Sequence, residues 1–166
     1  MRIYLIGFMG CGKSSFGKRL ARKLEYPFVD LDADIERETG QSLDDYFETY
    51  GEAQFRRTER QALLRTLSLP KAVIATGGGT PCFEDNMDVM NAEGVSVYLR
   101  MSPLSLAHRL QKAQTKRPLL KDLHEKELLP YIREKLNERE AYYLKSHCII
   151  KGETVKTDQV VSLLFG

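Results

Sequence analysis

The chain has 166 residues, of which 42% are hydrophobic, a size that suits one domain with a full core rather than two. Its net charge of +2 comes from interspersed basic and acidic residues, which excludes nucleic-acid or membrane binding through bulk charge, so an anionic ligand needs a local basic site. No apolar run approaches the ~20 residues of a spanning helix, and neither the opening residues nor the three dispersed cysteines suggest secretion. We therefore expect a cytoplasmic, monomeric protein with a single domain, residues 1–166.

Short β-branched or aromatic runs alternate with longer charged segments of helical period, which predicts strands alternating with helices. The predicted strands are 2–6, 27–31, 72–76, 95–100 and 147–151. The predicted helices are 13–24, a broken pair within 34–50, 52–67, 84–92, 103–111, 126–144 and 157–165. Such alternation implies right-handed crossovers and a parallel sheet covered on both faces. The fold class is therefore α/β, with three layers.

Local signals mark some of the boundaries. Ser42 followed by Asp45 is typical of a variant capping box, and Ser102 before Pro103 is a good start for a helix. Residues 112–126 have weak periodicity and several basic side chains, and long loops in compact domains are usually functional or disordered. We predict a mobile loop there.

A phosphate-binding motif follows the first predicted strand. "GFMGCGKS", residues 7–14, matches G-x-x-x-x-G-K-[ST] and directly precedes a predicted helix. Its backbone N–H groups and the helix N-terminus would surround a phosphate, Lys13 would add a full charge, and Ser14 could offer its hydroxyl to Mg²⁺. The residues predicted to bind the nucleotide here are Gly10, Cys11, Gly12, Lys13, Ser14 and Ser15. The motif predicts a nucleoside triphosphate site.

Alternating acids leave the second predicted strand. "FVDLDAD" contains Asp30, Asp32 and Asp34, at the edge where open α/β sheets bind ligands. If the strand continued, alternation would turn Asp30 and Asp32 toward one crevice. Asp34 alone, or Asp34 together with Asp32, could instead cap or begin the next helix. We interpret Asp30 and Asp32 as functional.

Three glycines follow the third predicted strand in "ATGGGTP", residues 75–81. Glycine there weakens a strand and offers no side chain to pack, so bare backbone must be needed. We predict that the glycines form a wall of a ligand site, where missing side chains leave room for the ligand.

Taken together, these segments resemble the shikimate kinase family. The resemblance rests on "GFMGCGKSSFGKRLARKL", "FVDLD", "GEAQFRRTE", "TGGGTP", "KRPLL" and "REAYY", in this order, over nearly the whole chain. It implies a P-loop kinase fold with strand order 2-3-1-4-5, a lid at about 112–125 and an acceptor-binding helical segment at about 32–60. It also implies transfer of the ATP γ-phosphate to the 3-hydroxyl of shikimate in aromatic amino-acid biosynthesis.

On the nucleotide side, the resemblance implies that Asp30 and Ser14 hold the Mg²⁺ shell. Lys13 and Arg117 would neutralise charge on the phosphates, with Arg117 carried by the lid. Arg109 would lie against the adenine.

On the acceptor side, the resemblance implies that Asp32 binds the ring hydroxyls, either orienting the attacking one or accepting its proton. Arg56 and Arg139 would pair with the substrate carboxylate, and Gly77, Gly78 and Gly79 would line the pocket. Sequence alone favours an exposed helical position for Arg139, near Lys135; only the resemblance reverses that interpretation.

Adjacent arginines on one helix point about 100° apart, so only one of Arg56 and Arg57 can face the crevice. The resemblance selects Arg56, and Glu59, one turn later, would orient its guanidinium. We expect Arg57, Arg60 and Arg65 to lie on a solvated helix face.

Two other classes of function stay open at this stage. Gluconate kinases and nucleoside-monophosphate kinases share the phosphate loop and a basic lid but differ in the acceptor pocket. A regulatory nucleotide-binding module is a further alternative. In such a module, however, Asp30, Asp32 and Arg117 would have no function.

Overall fold

Five parallel strands form the centre of the molecule. The structure is a computed structural model that describes residues 1–113 and 125–166, and it arranges the strands in the order β2-β3-β1-β4-β5. The strands are β1 (Arg2–Ile6), β2 (Phe28–Asp30), β3 (Ala72–Ala75), β4 (Val95–Arg100) and β5 (Cys148–Lys151). Both the parallel sheet and the expected strand order are confirmed.

The middle of this sheet is the hydrophobic core. Residues 3–6 of β1 are completely buried, and residues 72–75 of β3 are at most 1% exposed. These strands are covered on both faces, which is why they are continuous apolar runs rather than alternating ones. Leu5 lies opposite Ala75 on one side and Val97 on the other, so the carboxyl ends of β1 and β3 finish at the same edge.

Seven helices among the described residues flank the sheet. They are α1 (Lys13–Leu24), α2 (Leu31–Thr39), α3 (Leu43–Arg65), α4 (Asn86–Glu93), α5 (Pro103–Ala113), α6 (Glu125–Tyr143) and α7 (Thr157–Phe165). The predicted caps are confirmed: Ser42 Oγ accepts from Asp45 N at 3.1 Å, and Ser102 Oγ accepts from Ser105 N at 3.1 Å. No helix in the described part of the chain is long and apolar enough to cross a bilayer.

The junction between β2 and α2 differs from the prediction. The strand ends at Asp30 and the helix begins at Leu31, three residues earlier than expected. Asp30 caps this helix, since its Oδ1 accepts from Ala33 N at 3.2 Å. The satisfied backbone donor and the complete burial of Leu31 favour helix over further strand. Asp32 therefore lies in the first turn of α2. The prediction that strand alternation turns Asp30 and Asp32 toward one crevice was wrong.

Glycine divides α3 into two helical parts. Gly51 has φ 82° and ψ 171°, a conformation that helical residues do not adopt. The predicted break between 50 and 52 is thus confirmed, although the two parts run on as one element. A short 3₁₀ turn at Thr80–Cys82, which the sequence did not predict, follows the three glycines and leads toward α4.

Candidate active site

The loop between β1 and α1 has the backbone that its motif predicts. Gly10 and Gly12 have φ 82° and 95°, which L side chains rarely adopt. A Cβ at Gly12 would also lie 3.1 Å from Arg109 Nη2, so Arg109 of α5 packs directly on the loop. The structure therefore brings Arg109 to the phosphate loop, while its contact with the adenine stays a prediction.

Lys13 is folded into this loop. Its side chain is largely buried, and Nζ donates to Gly7 O at 2.6 Å and Phe8 O at 3.1 Å. Cys11 Sγ lies 3.8 Å from the same Nζ. The ammonium group is thus held over the backbone that would surround a phosphate, where it adds its charge to the N-terminus of α1.

Ser14 and Asp30, predicted separately, meet in the structure. Ser14 Oγ donates to Asp30 Oδ2 at 2.6 Å, across the gap between the loop and the end of β2. A hydroxyl and a carboxylate are hard oxygen donors of the type Mg²⁺ prefers, usually completed by phosphates and water. Within the described ranges no group of three or more His, Cys, Asp or Glu forms a metal cage. The pair suits a Mg²⁺ that arrives with a nucleotide.

A cavity of 460 Å³ joins these groups. Its lining includes residues of the phosphate loop together with Asp30, Asp32, Gly78 and Arg109. A larger cavity of 640 Å³ lies between α6 and β5, but none of the predicted site residues lines it. We assign the site to the smaller cavity because the phosphate loop and both acids converge there, although Arg56 and Arg139 do not line it.

Each of the three glycines borders a charged side chain. A Cβ at Gly77 would lie 3.0 Å from Asp32 Oδ1, and one at Gly78 would lie 3.2 Å from Arg139 Nη1. At Gly79 it would lie 2.7 Å from Arg56 Nη1. Asp32, Arg56 and Arg139 therefore occupy part of the space that the missing side chains leave. The rest of that space is open to a ligand.

Arg56 faces this wall and Arg57 does not. Arg56 Nη1 donates to Glu59 Oε1 at 2.9 Å, and Thr80 Oγ1 donates to Glu59 Oε2 at 2.9 Å. Glu59 is only 1% exposed, so its charge is balanced inside the protein by Arg56. Arg57 instead donates to Gln54 on the exposed side of the helix. The predicted roles of Glu59 and Arg56 in one ion pair are confirmed.

Arg60 corrects one expectation. It is half-buried, donates to Asn86 Oδ1 at 2.6 Å and forms an ion pair with Asp85 at 2.5 Å. It is not a solvated side chain but a link between α3 and the start of α4. Arg65 is exposed and pairs with Glu38 across 2.5 Å, which fits the expected surface position.

Arg139 points into the crevice rather than along an exposed helix. Its Cζ lies 5.7 Å from the ring centre of Phe8, next to Gly78. Tyr143, one turn later on α6, is fully buried and donates from its hydroxyl to Gly78 O at 2.5 Å. Burial raises the pKa of Tyr143 far above its usual range, so the hydroxyl stays a donor. Tyr143 thus joins α6 to the glycine wall, a link that sequence reasoning missed.

One predicted residue cannot be located. Arg117, and most of the predicted lid at about 112–125, lie outside the described residues. Their roles stay predictions.

The fold and the site define a kinase of the P-loop class: a phosphate loop ahead of a helix, an acid at the neighbouring strand and a basic acceptor pocket opposite. The Shikimate kinase family model matches residues 9–165. The chain belongs to the shikimate kinase family.

Individual relatives agree over nearly the full length. A shikimate kinase from Bacteroides thetaiotaomicron is 40% identical over 156 residues, covering 94% of this chain and 89% of the relative. The crystal structure of shikimate kinase from the same species has a TM-score of 0.95 at 37% identity, covering 99% of this chain and 98% of that one. Shikimate kinase from Acinetobacter baumannii, in complex with shikimate, has a TM-score of 0.86 at 32% identity, covering 98% and 92%.

Proposed function

We propose that the protein transfers the γ-phosphate of ATP to the 3-hydroxyl of shikimate, giving shikimate 3-phosphate and ADP in aromatic amino-acid biosynthesis. One observation carries the proposal: two arginines and an aspartate converge on the glycine wall, next to a phosphate loop. Arginine suits bidentate contact with a carboxylate, and an aspartate suits ring hydroxyls. Shikimate carries both groups.

In this proposal, the acceptor is held by Arg56 and Arg139 at its carboxylate and by Asp32 at its hydroxyls. Phosphoryl transfer through a loose transition state requires mainly alignment and neutralisation of charge. Asp32 orients the attacking hydroxyl and can accept its proton late in the step. Lys13 and Arg117 stabilise charge on the transferred group.

Mg²⁺ belongs to the proposal as the ion that accompanies ATP. When bound, it screens the phosphate oxygens and draws charge toward the leaving group. Ser14 and Asp30, which already contact each other at 2.6 Å, are the residues proposed to hold its shell. A cytoplasmic location and a monomeric state are further parts of the proposal.

A coupled assay for ADP release tests the function. Shikimate, gluconate and AMP are offered in turn with Mg²⁺ and ATP, and we expect turnover with shikimate alone. Thermal stabilisation provides a second measurement, since a ligand that binds only the folded state raises Tm by an amount that grows with the logarithm of its concentration relative to Kd. Shikimate together with ADP should raise Tm beyond ADP alone. Turnover of gluconate or AMP, or nucleotide binding without any acceptor, would favour the alternatives.

A further inference from the structure

An aromatic ring lies against the acceptor arginine. The Arg56 guanidinium carbon is 3.8 Å from the ring centre of Phe83, and 5.1 Å from that of Phe55. A guanidinium at the shorter distance is in full contact with the ring, and the cation–π attraction is strongest where water is excluded. Arg56 is such a case, because its side chain is only 16% exposed.

The loop that carries Phe83 is held in place by α3 itself. Asn86 is buried, accepts from Arg60 Nη1 and donates from Nδ2 to Thr80 O at 2.9 Å. Asn86 N also donates to Phe83 O at 3.2 Å. Arg60 lies one turn after Arg56, so one helix carries the arginine and fixes the loop that bears the ring. These contacts hold the ring in position before any ligand arrives.

The backbone next to Phe83 has a strained conformation. Glu84 has φ 50°, in the left-handed region that non-glycine residues seldom occupy. Such a conformation persists only where surrounding contacts determine it. The Arg60–Asp85 ion pair and the bonds of Asn86 supply those contacts.

Few other contacts orient the Arg56 guanidinium. Nη1 donates to Glu59, whereas the buried Nε has no hydrogen-bond partner in the described part of the chain and forms only an ion pair with Glu52 Oε1 at 3.8 Å, too long for a hydrogen bond. The hydrogen bond to Glu59 fixes the position of Nη1 but still allows the guanidinium plane to rotate about that nitrogen. The Phe83 ring, 3.8 Å from the guanidinium carbon, restricts that rotation together with the backbone of Gly79, which the guanidinium also approaches closely.

From this arrangement we infer that Phe83 is a positioning residue for the acceptor carboxylate, acting through Arg56. It holds the guanidinium so that its unused donors are ready for a carboxylate, which removes an ordering cost from binding. The inference rests on the proposed function, because shikimate is the ligand whose carboxylate Arg56 receives.

Steady-state kinetics of Phe83→Leu and Phe83→Tyr test the role. Loss of the ring in Phe83→Leu should raise the KM for shikimate about tenfold, while kcat and the KM for ATP stay within about twofold. Phe83→Tyr keeps the aromatic face and should restore a KM near that of the wild type. Phe165→Leu, at an exposed position near the end of α7, is the matched control and should leave all constants unchanged.

A double substitution separates action through Arg56 from direct contact with the substrate. In an Arg56→Ala background, Phe83→Leu should change the KM for shikimate by less than about twofold, because the group it positions is gone. A further tenfold rise there would overturn the inference and make Phe83 a direct contact. An unchanged KM in the single variant would overturn it as well. Should Phe83→Leu not fold, judged by its Tm, Phe83→Met takes its place.

The wild-type assay distinguishes the two levels of failure. If the wild type does not phosphorylate shikimate, the proposed function is wrong, and the role of Phe83 in binding the shikimate carboxylate is wrong with it. If the wild type is active and Phe83→Leu matches it, the function stands and the positioning role is wrong.

Discussion

Gly79 differs from alanine by a single β-carbon, and Arg56 lies too close to leave room for that carbon. The φ of Gly79 is −95°, which alanine adopts freely, so the backbone does not require glycine there. What requires it is the distance of 2.7 Å between the position of a Cβ and Arg56 Nη1. In the same way, a Cβ at Gly78 would closely approach Arg139, and a Cβ at Gly77 would closely approach Asp32. The triplet is therefore a surface against which charged side chains are placed.

Gly79→Ala should displace the Arg56 guanidinium and weaken the acceptor site. We expect the KM for shikimate to rise about tenfold or more while the KM for ATP stays unchanged, because the phosphate loop is untouched. Steady-state kinetics with each substrate varied in turn measures both constants. In the Arg56→Ala background the same change should have little further effect. Equal loss of ATP and shikimate binding would mean that the glycine serves only the turn.

Cys82 gives the site a pH-dependent chemical reporter. Burial raises the pKa of the Cys82 thiol from 9.0 to about 11, against the smaller opposing pull of the Arg139 and Arg56 charges. Because only the thiolate is alkylated, the folded protein should react about 100-fold more slowly at pH 8 than the unfolded chain. The rate should keep rising with pH toward 11. Peptide-resolved mass spectrometry with iodoacetamide between pH 7 and 10 measures this, and a plateau near pH 9 in the folded protein would contradict it.

At the scale of elements, Asp30 has two structural roles at the junction of β2 and α2. Asp30 ends the strand, caps the helix through Oδ1 and meets Ser14 through Oδ2. The early start of α2 also brings Asp32 near the glycine wall from the first turn of a helix. We therefore expect a change in this junction to affect both helix stability and the proposed Mg²⁺ shell, unless the substitution preserves one of them.

Asp30→Asn separates the two tasks. Asparagine caps a helix as well as aspartate does, so Tm should change little, whereas the lost charge should raise the Mg²⁺ concentration needed for half-maximal activity. Asp30→Ala should in addition lose about 1 kcal/mol of stability. Ser42→Ala, which removes the cap of α3 outside the crevice, is the control: lower Tm with an unchanged Mg²⁺ requirement. An Asp30→Asn enzyme with the wild-type Mg²⁺ requirement would exclude Asp30 from the shell.

At the scale of the whole molecule, the crevice has a nucleotide side and an acceptor side. Parallel pairing of β1 with β3 and of β3 with β2 brings the phosphate loop, the three glycines and Asp30 to one edge of the sheet. α3 and α6 then supply Arg56 and Arg139 from distant parts of the chain. Because the two sides come from different elements, they should be separable by mutation.

Arg56→Ala and Arg117→Ala should fail in different ways. Loss of Arg56 leaves the carboxylate without its partner, so the KM for shikimate should rise about 100-fold with a smaller effect on kcat. In the proposed function Arg117 supplies a charge needed mainly in the transition state, so its loss should lower kcat by on the order of 10³ with little change in that KM. Initial-rate measurements on both variants decide. The reverse pattern would exchange the assigned roles.

Local patterns were sufficient for much of this molecule. The strands are apolar runs because both faces are buried, the phosphate loop is contiguous, and the caps at Ser42 and Ser102 lie within three residues of their partners. The boundary at Asp30 was misplaced because Asp30, Asp32 and Asp34 all suit an N-cap, so the local pattern does not choose among them. Tyr143 and Phe83 were missed for a similar reason: nothing near them in the sequence marks what they contact.

The sequence by itself determined the class of fold, the nucleotide loop and the family, since these depend on short contiguous motifs in a set order. Only the tertiary structure decided that Tyr143 joins α6 to the glycine wall, that Arg60 fixes a loop rather than meeting solvent, and that "ATGGGTP" borders Asp32, Arg139 and Arg56. The physical reason is that ion pairs, ring contacts and close approaches join residues far apart in the chain. Their distances are set by packing of the elements and leave no periodic trace in the sequence.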